Sequence, residues 1–310
     1  MKTVYEKIKA NLDRVIFGCD EAKALAVCAA FSGGHLLLRD VPGTGKTEMA
    51  KALSASLGLS FRRIQFTPDL LPSDITGVNF YNPKEGEFVL RKGPVFANIL
   101  LADEINRATP RTQSALLECM QEGQATVDGE TLPLPDPFFV VATMNPIEFQ
   151  GTFPLPEAEV DRFALCAPMH YPEMNDELRI VQKAIARESA EALAPVLTVE
   201  ELAACYAAVK AVHISDEVRD YVVRLVRATR ESDKIRLGVS PRGTLSFTRS
   251  LQAWAAMQGR NFVTPDDVKE LAVPALAHRI TTAASGSIKT TEAAEDVIRY
   301  LLTIVPAPVI

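Results

Sequence analysis

Lys46 and Thr47 follow Gly43-Thr44-Gly45, and ahead of that loop stands the apolar run Leu36-Leu37-Leu38. A lysine and a hydroxyl at this spacing could do one kind of chemistry together, with the amine reaching the terminal phosphates of a nucleotide and the hydroxyl ligating Mg²⁺. Helical spacing predicts a helix from Lys46 to about Leu57. The loop would then open into a helix start, where unpaired backbone N–H groups and the positive dipole end favour an anion. Scored against G-x-x-x-x-G-K-[ST], Gly45, Lys46 and Thr47 fit, whereas the first glycine position holds Asp40. A plain turn into an ordinary helix competes with this reading, but it leaves a first-turn lysine opposing the dipole with no anion beside it. The expected phosphate-binding set is Val41, Pro42, Gly43, Thr44, Gly45, Lys46, Thr47 and Glu48.

A second constellation ends the run Ile99-Leu100-Leu101-Ala102-Asp103-Glu104. In parallel sheets ligands gather at the carboxyl ends of strands, which would put both acids beside the phosphates. Neighbouring residues of a strand point to opposite faces, so two roles are expected: Asp103 holds Mg²⁺ through its water shell, and Glu104 polarises an attacking water. Phe138 to Ala142 reads as another buried strand and delivers Asn145 to the same edge. Asn145 is either a turn residue before Pro146 or the amide that orients the nucleophile. Val15-Ile16-Phe17-Gly18 is an apolar turn, and Ile16 and Gly18 would pack on an adenine ring or on the core. Arg162, beside Asp161 and near Glu157, is either a surface ion-pair partner or a guanidinium reaching a phosphate across a subunit boundary. Arg242 sits near a helix start, where a cation gains nothing from the dipole, and that placement fits a phosphate partner.

The 310 residues suffice for two domains, and 47% hydrophobic residues can fill both cores. A net charge of −6 offers no general field for nucleic acid or anionic membrane. No apolar run approaches the roughly 18 residues of a membrane span, and the amino terminus lacks a signal-peptide core, so a cytoplasmic protein is expected. The five cysteines are scattered without a C-x-x-C pair and the four histidines form no H-E-x-x-H, so reduced, mostly buried thiols and no histidine-held metal are expected.

The positioning elements follow from periodicity. Met1 to Ala30 reads as helical around the Val15–Gly18 turn, and Phe61 to Phe66 as a strand. Two hairpins are predicted, one pairing Val78–Phe80 with Phe88–Leu90 and one turning at Asp128-Gly129. Pro168 and Pro172 mark a boundary. Beyond it the chain is helical and strand-poor, with a capping box at Thr198 and Glu201 and an N-cap at Thr264-Pro265.

In the stretches GGHLLLRDVPGTGKT, ILLADEINRATPRTQSALLECMQEG and ATMNPIEFQGTFPLPEAEVDRF the chain resembles the MoxR family of AAA+ ATPases. The resemblance runs from Val15 to about Val268. It implies an α/β fold, a P-loop core with a five-stranded parallel sheet (residues 1–170), followed by a small all-α lid (171–310). It identifies the hairpins as a helix-2 insert (about 76–93) and a pre-sensor-1 hairpin (about 124–137). Lys46 and Thr47 would be Walker A, Asp103 and Glu104 Walker B, Asn145 sensor 1, Arg162 the arginine finger and Arg242 sensor 2. The cofactors implied are ATP or ADP with Mg²⁺. Rings of six, chaperone-like remodelling in complex assembly or metal-cofactor insertion, and a client with a von Willebrand factor A domain are implied as well. Asp40 and Cys19, which stands where the family often has Gln, depart from the pattern. Two alternatives are a nucleic-acid-dependent motor, disfavoured by Asp128, Glu130 and Asp136 on the second hairpin, and a nucleotide-gated scaffold, disfavoured by Glu104.

Overall fold

The computed structural model describes residues 1–40, 43–144, 152–185, 193–283 and 291–308. Helices α1 (Lys2–Asp13) and α2 (Asp20–Phe31) precede strand β1 (Leu36–Asp40), and α3 (Lys46–Leu57) leads to β2 (Phe61–Gln65). A short α4 (Pro72–Thr76) opens the first hairpin, β3 (Gly77–Asn82) with β4 (Glu87–Lys92). Then come β5 (Ile99–Asp103), α5 (Pro110–Glu122), the second hairpin β6 (Gln124–Val127) with β7 (Glu130–Pro133), β8 (Phe139–Met144), α6 (Glu157–Val160) and β9 (Leu165–Met169).

β2, β5, β8, β1 and β9 form one five-stranded parallel sheet in that order. The central strands are buried on both sides, and alternation splits their apolar residues between two layers. Leu36, Leu38, Leu101 and Val141 face the cluster with α1, α2 and α3, whereas Leu37, Leu100 and Val140 face the one with α5.

Pro168, expected at a boundary, lies inside β9, paired with Arg39. β9 is an edge strand, and a residue with no N–H to donate is tolerated on its unpaired side. Among the described residues, Asp128 and Gly129 both take positive φ (48° and 86°), as a two-residue hairpin turn of the primed type requires. Asp128 also accepts the backbone N–H of Asn79 at 3.3 Å, which ties the second hairpin to the first.

The remaining elements are helical apart from one small ribbon: α7 (Met174–Ile185), α8 (Val199–Lys210), α9 (Asp216–Glu231), β10 (Ile235–Leu237), α10 (Pro241–Met257), α11 (Pro265–Leu276), β11 (Thr281–Thr282) and α12 (Thr291–Ile304). The capping box at Thr198 and the Thr264 N-cap form as the sequence predicts. α8 and α10 pack on α2, and their apolar side chains continue the cluster under α1 and α3 across the expected boundary. No helix among the described residues is long and apolar enough to cross a membrane.

Candidate nucleotide site

The carboxyl ends of β1, β5 and β8 meet at one edge of the sheet, and the glycine loop opens there. Gly43 and Gly45 have φ of 86° and 89°, a region closed to most side chains, so the tight approach to α3 depends on them. Lys46 starts α3 and brings its Nζ within 3.2 Å of Asp103 Oδ1, uniting the two constellations read from sequence.

Asp103 is 3% exposed. The Arg63 guanidinium meets its Oδ2 at 2.6 Å, and the Thr143 hydroxyl donates to Oδ1 at 2.7 Å. Burial pushes the carboxyl upward, but Arg63, Thr143 and Lys46 together outweigh it and hold the group below the usual carboxylate range. An ionised buried carboxylate, with the Thr47 hydroxyl in the adjoining helix start, offers hard oxygen donors. Such a pair fits Mg²⁺, which takes few protein oxygens and leaves the rest of its shell to phosphates and water.

Glu104 is not a strand residue, contrary to the expectation of opposite strand faces. β5 ends at Asp103, and Glu104 takes a left-handed conformation (φ 56°, ψ 50°). For a residue with a Cβ that costs about 1 to 3 kcal/mol. The surroundings hold it there: its N–H donates to Thr143 Oγ1 at 2.8 Å, Gln65 Nε2 donates to Oε2 at 2.9 Å, and Arg107 Nε lies 3.1 Å from the same oxygen. A left-handed turn, rather than strand alternation, separates the directions of the two acids.

Ile16 belongs to the core and also reaches the loop, since a Cβ on Gly45 would lie 3.6 Å from its Cδ1. Lys23, 3% exposed, fixes this turn by donating to the Ile16 carbonyl at 3.4 Å while pairing with Asp20 at 2.7 Å and with Asp13. Gly18 has φ of 71°, and a Cβ there would approach Asp176 Oδ2 to 3.0 Å. Arg179 of α7 lies over the Phe17 ring at 4.4 Å, so the helical half closes on the same turn. Glu48 is exposed and pairs with Lys51 at 3.2 Å. Val41, Pro42 and Asn145 lie outside the described residues.

Arg162 and Arg242 are brought to each other and not to the loop. Ala164 donates to the His35 carbonyl and Leu165 stands opposite Leu36, so Arg162 is level with the amino end of β1. The five residues of β1, roughly 16 Å at ~3.3 Å per residue, separate that level from the loop. Arg162 Nη1 donates to the Leu117 carbonyl at 3.1 Å and to the Gln121 side chain, and its buried Nε has no partner. Of the two readings of Arg162, the surface ion pair does not form: among the described residues no carboxylate lies within salt-bridge distance of Arg162. Burial, then the neighbouring Arg242 charge, pull the Arg162 guanidinium below its ordinary value, with Glu159, Glu122 and Asp161 opposing. Arg242 is exposed and forms no hydrogen bond or ion pair among the described residues.

Sequence reading missed Arg63, Gln65, Thr143, Arg107 and Lys23. A signal existed for three of them: Thr143 is the polar residue of an apolar strand, and Arg63 and Gln65 share a face at the end of β2, with Gln65 in register with Asp103.

A parallel five-stranded sheet with a glycine loop, a helix-start lysine against a strand-end aspartate, and a helical half that closes on the Val15–Gly18 turn define a P-loop ATPase of the AAA+ class. The match to known proteins is at the level of family. Residues 35–165 match the ATPase family associated with various cellular activities (AAA), and residues 227–299 match the AAA lid domain. The chain is 38% identical to the Chaperone MoxR1 of Mycobacterium tuberculosis over 89% of this chain and 75% of that protein. It is 45% identical to the YeaC protein of Bacillus subtilis over 98% and 94% of the two chains. A crystal structure of a candidate ATPase from Cytophaga hutchinsonii superimposes with a TM-score of 0.90 at 35% identity, covering 99% of this chain and 96% of that one. The chain belongs to the MoxR family of AAA+ ATPases.

Proposed function

We propose that the protein hydrolyses ATP at the carboxyl edge of the sheet and couples hydrolysis to chaperone-like remodelling of a partner protein. The observation that carries this reading is the 3.2 Å approach of Lys46 to a buried Asp103 flanked by Glu104. Residues 1–170 form the nucleotide-binding domain and 171–310 the lid. Lys46 and the loop N–H groups hold the phosphates, and Ile16 and Gly18 border the base. Thr47 and Asp103 hold Mg²⁺, which when bound neutralises charge on the phosphate oxygens. Glu104, released from Gln65 and Arg107, accepts the proton of the attacking water, and Asn145 orients that water.

Arg162 completes the site of a neighbouring copy, because it stands at the far end of its own sheet with a buried nitrogen unpaired. Arg242 serves that same neighbouring nucleotide. A ring, six-membered as in similar proteins, is the assembly that gives every interface one loop and one arginine pair. The client is a protein with a von Willebrand factor A domain, a reading that rests on family resemblance.

The test is Glu104→Gln. It is expected to bind ATP as tightly as the wild type and to hydrolyse it far more slowly, and equal turnover would remove Glu104 from the mechanism.

A further inference from the structure

Arg279 is a buried arginine outside the nucleotide site, 5% exposed, on the turn that follows α11. Its guanidinium is spent on the segment around Arg162. Nη2 donates to the Phe163 carbonyl at 2.6 Å and to the Asp161 carbonyl at 3.3 Å, gripping the residues on either side of Arg162. Nη1 donates to the Ala275 carbonyl at 2.7 Å, and Nε lies 3.0 Å from Asp161 Oδ1. The other carboxylate oxygen of Asp161 accepts the Ser240 hydroxyl at 2.7 Å. Ser240 is the N-cap of α10, two residues before Arg242, and accepts the Gly243 N–H at 3.0 Å. A Cβ on Gly243 would lie 3.1 Å from Arg279 Cδ and 3.2 Å from Asp161 Oδ1, so the helix start is seated directly on this ion pair.

Burying a charged pair is poor value for stability alone, because desolvation of both ions opposes their attraction and an apolar pair often serves as well. The forked geometry does something an apolar pair does not. It ties the loop that carries Arg162 to the helix that carries Arg242 through a planar group with fixed donor directions. Burial pulls the Arg279 guanidinium down to about 10, with Asp161 opposing, so it stays charged at neutral pH.

We infer that Asp161 and Arg279 form a clasp that sets Arg162 and Arg242 as one rigid two-arginine unit, with Arg279 a positioning residue for the guanidinium offered to the neighbouring subunit. The inference rests on the reading that Arg162 acts on a neighbour's nucleotide. Lid and finger loop then move together, so a shift of the helical half is delivered to the next subunit's site through both arginines at once.

The test compares Arg279→Lys, which keeps the charge and loses the fork, in the wild-type background and in one carrying both Arg162→Ala and Arg242→Ala. A misplacement of about 1 Å costs on the order of 10²-fold in rate, and a fall of that size in kcat is expected with the KM for ATP unchanged. In the background lacking both arginines the same substitution should lower turnover no further, because it acts through groups already gone. Asp161→Asn, which keeps the Ser240 contact, should repeat the pattern and carries the test if Arg279→Lys does not fold. Arg162→Ala inactive with wild-type kcat in the folded clasp variants, or a further loss in the background lacking both arginines, would overturn the clasp. Arg162→Ala with normal turnover would instead overturn the underlying reading, whatever the clasp variants do.

Discussion

The Thr143 hydroxyl donates to Asp103 Oδ1 at 2.7 Å. Thr143 Oγ1 in turn accepts the Glu104 N–H, so one side chain on β8 fixes the carboxylate that ends β5 and the turn that follows it. Thr143→Val keeps the shape and removes both bonds. Each unpaired buried group costs about 1 to 3 kcal/mol, so a lower melting temperature is expected. Turnover should fall more than ATP affinity, since Glu104 loses the bond that holds its left-handed conformation. Thermal melts with steady-state kinetics decide this, and unchanged kcat in a folded variant would refute it.

Arg63 competes for the carboxylate assigned to Mg²⁺. Its guanidinium meets Asp103 Oδ2 at 2.6 Å from a side chain 46% exposed. Such half-exposed pairs contribute up to about 1 kcal/mol. Arg63→Met should therefore lower the Mg²⁺ concentration for half-maximal ATPase activity by up to about fivefold. A Mg²⁺ titration at fixed ATP reads this directly, and a raised requirement would mean that Arg63 assists the ion rather than competing with it.

How much of the site could be read from sequence depended on whether a residue's role was local. Lys46 and Asp103 announce themselves because a glycine loop and an apolar strand sit next to them in the chain. The left-handed Glu104 was missed because nothing in an apolar strand says where it stops. β9 was hidden by Pro168, whose meaning reverses once the strand is known to lie at an edge. Lys23, Asp161 and Arg279 were invisible for a different reason. Their partners, Ile16, Ser240 and Phe163, are fixed only when distant segments pack, and no local pattern carries that.

Arg162 and Lys46 stand at opposite ends of the same sheet, which sets a prediction about mixtures. Losing an arginine finger typically costs about 10³ to 10⁵ in rate, so Arg162→Ala alone should be nearly inactive, as should Lys46→Ala. Mixed together, some interfaces would pair an intact loop from one chain with an intact Arg162 from the other. ATPase activity should rise with mixing and peak at an intermediate ratio. No recovery at any ratio, with assembly of the mixture verified by sizing, would argue that Arg162 does not act between subunits.

His35, directly before β1, gives the stability a predictable acid limb. Val140 donates its N–H to Nδ1 at 3.1 Å, so the ring proton sits on Nε2, 3.1 Å from the Met120 carbonyl. The ring is buried with no acceptor for a second proton, and desolvation brings its pKa from 6.5 to about 4. Because the folded value is depressed, the unfolded chain takes up a proton below 6.5 that the native state refuses until about 4. Stability is therefore intact above the unfolded value and declines as pH falls through that window, by roughly 3 kcal/mol at its lower end. His278, half-buried and held well below its ordinary value by desolvation and by Arg279, adds a second loss of the same sign. His35→Gln cannot take up that proton, so its urea-unfolding free energy should depend less on pH between about 7 and 4 than the wild type's. The difference between the two profiles isolates His35 from carboxylates titrating nearby, and parallel profiles would show that its burial contributes nothing to acid sensitivity.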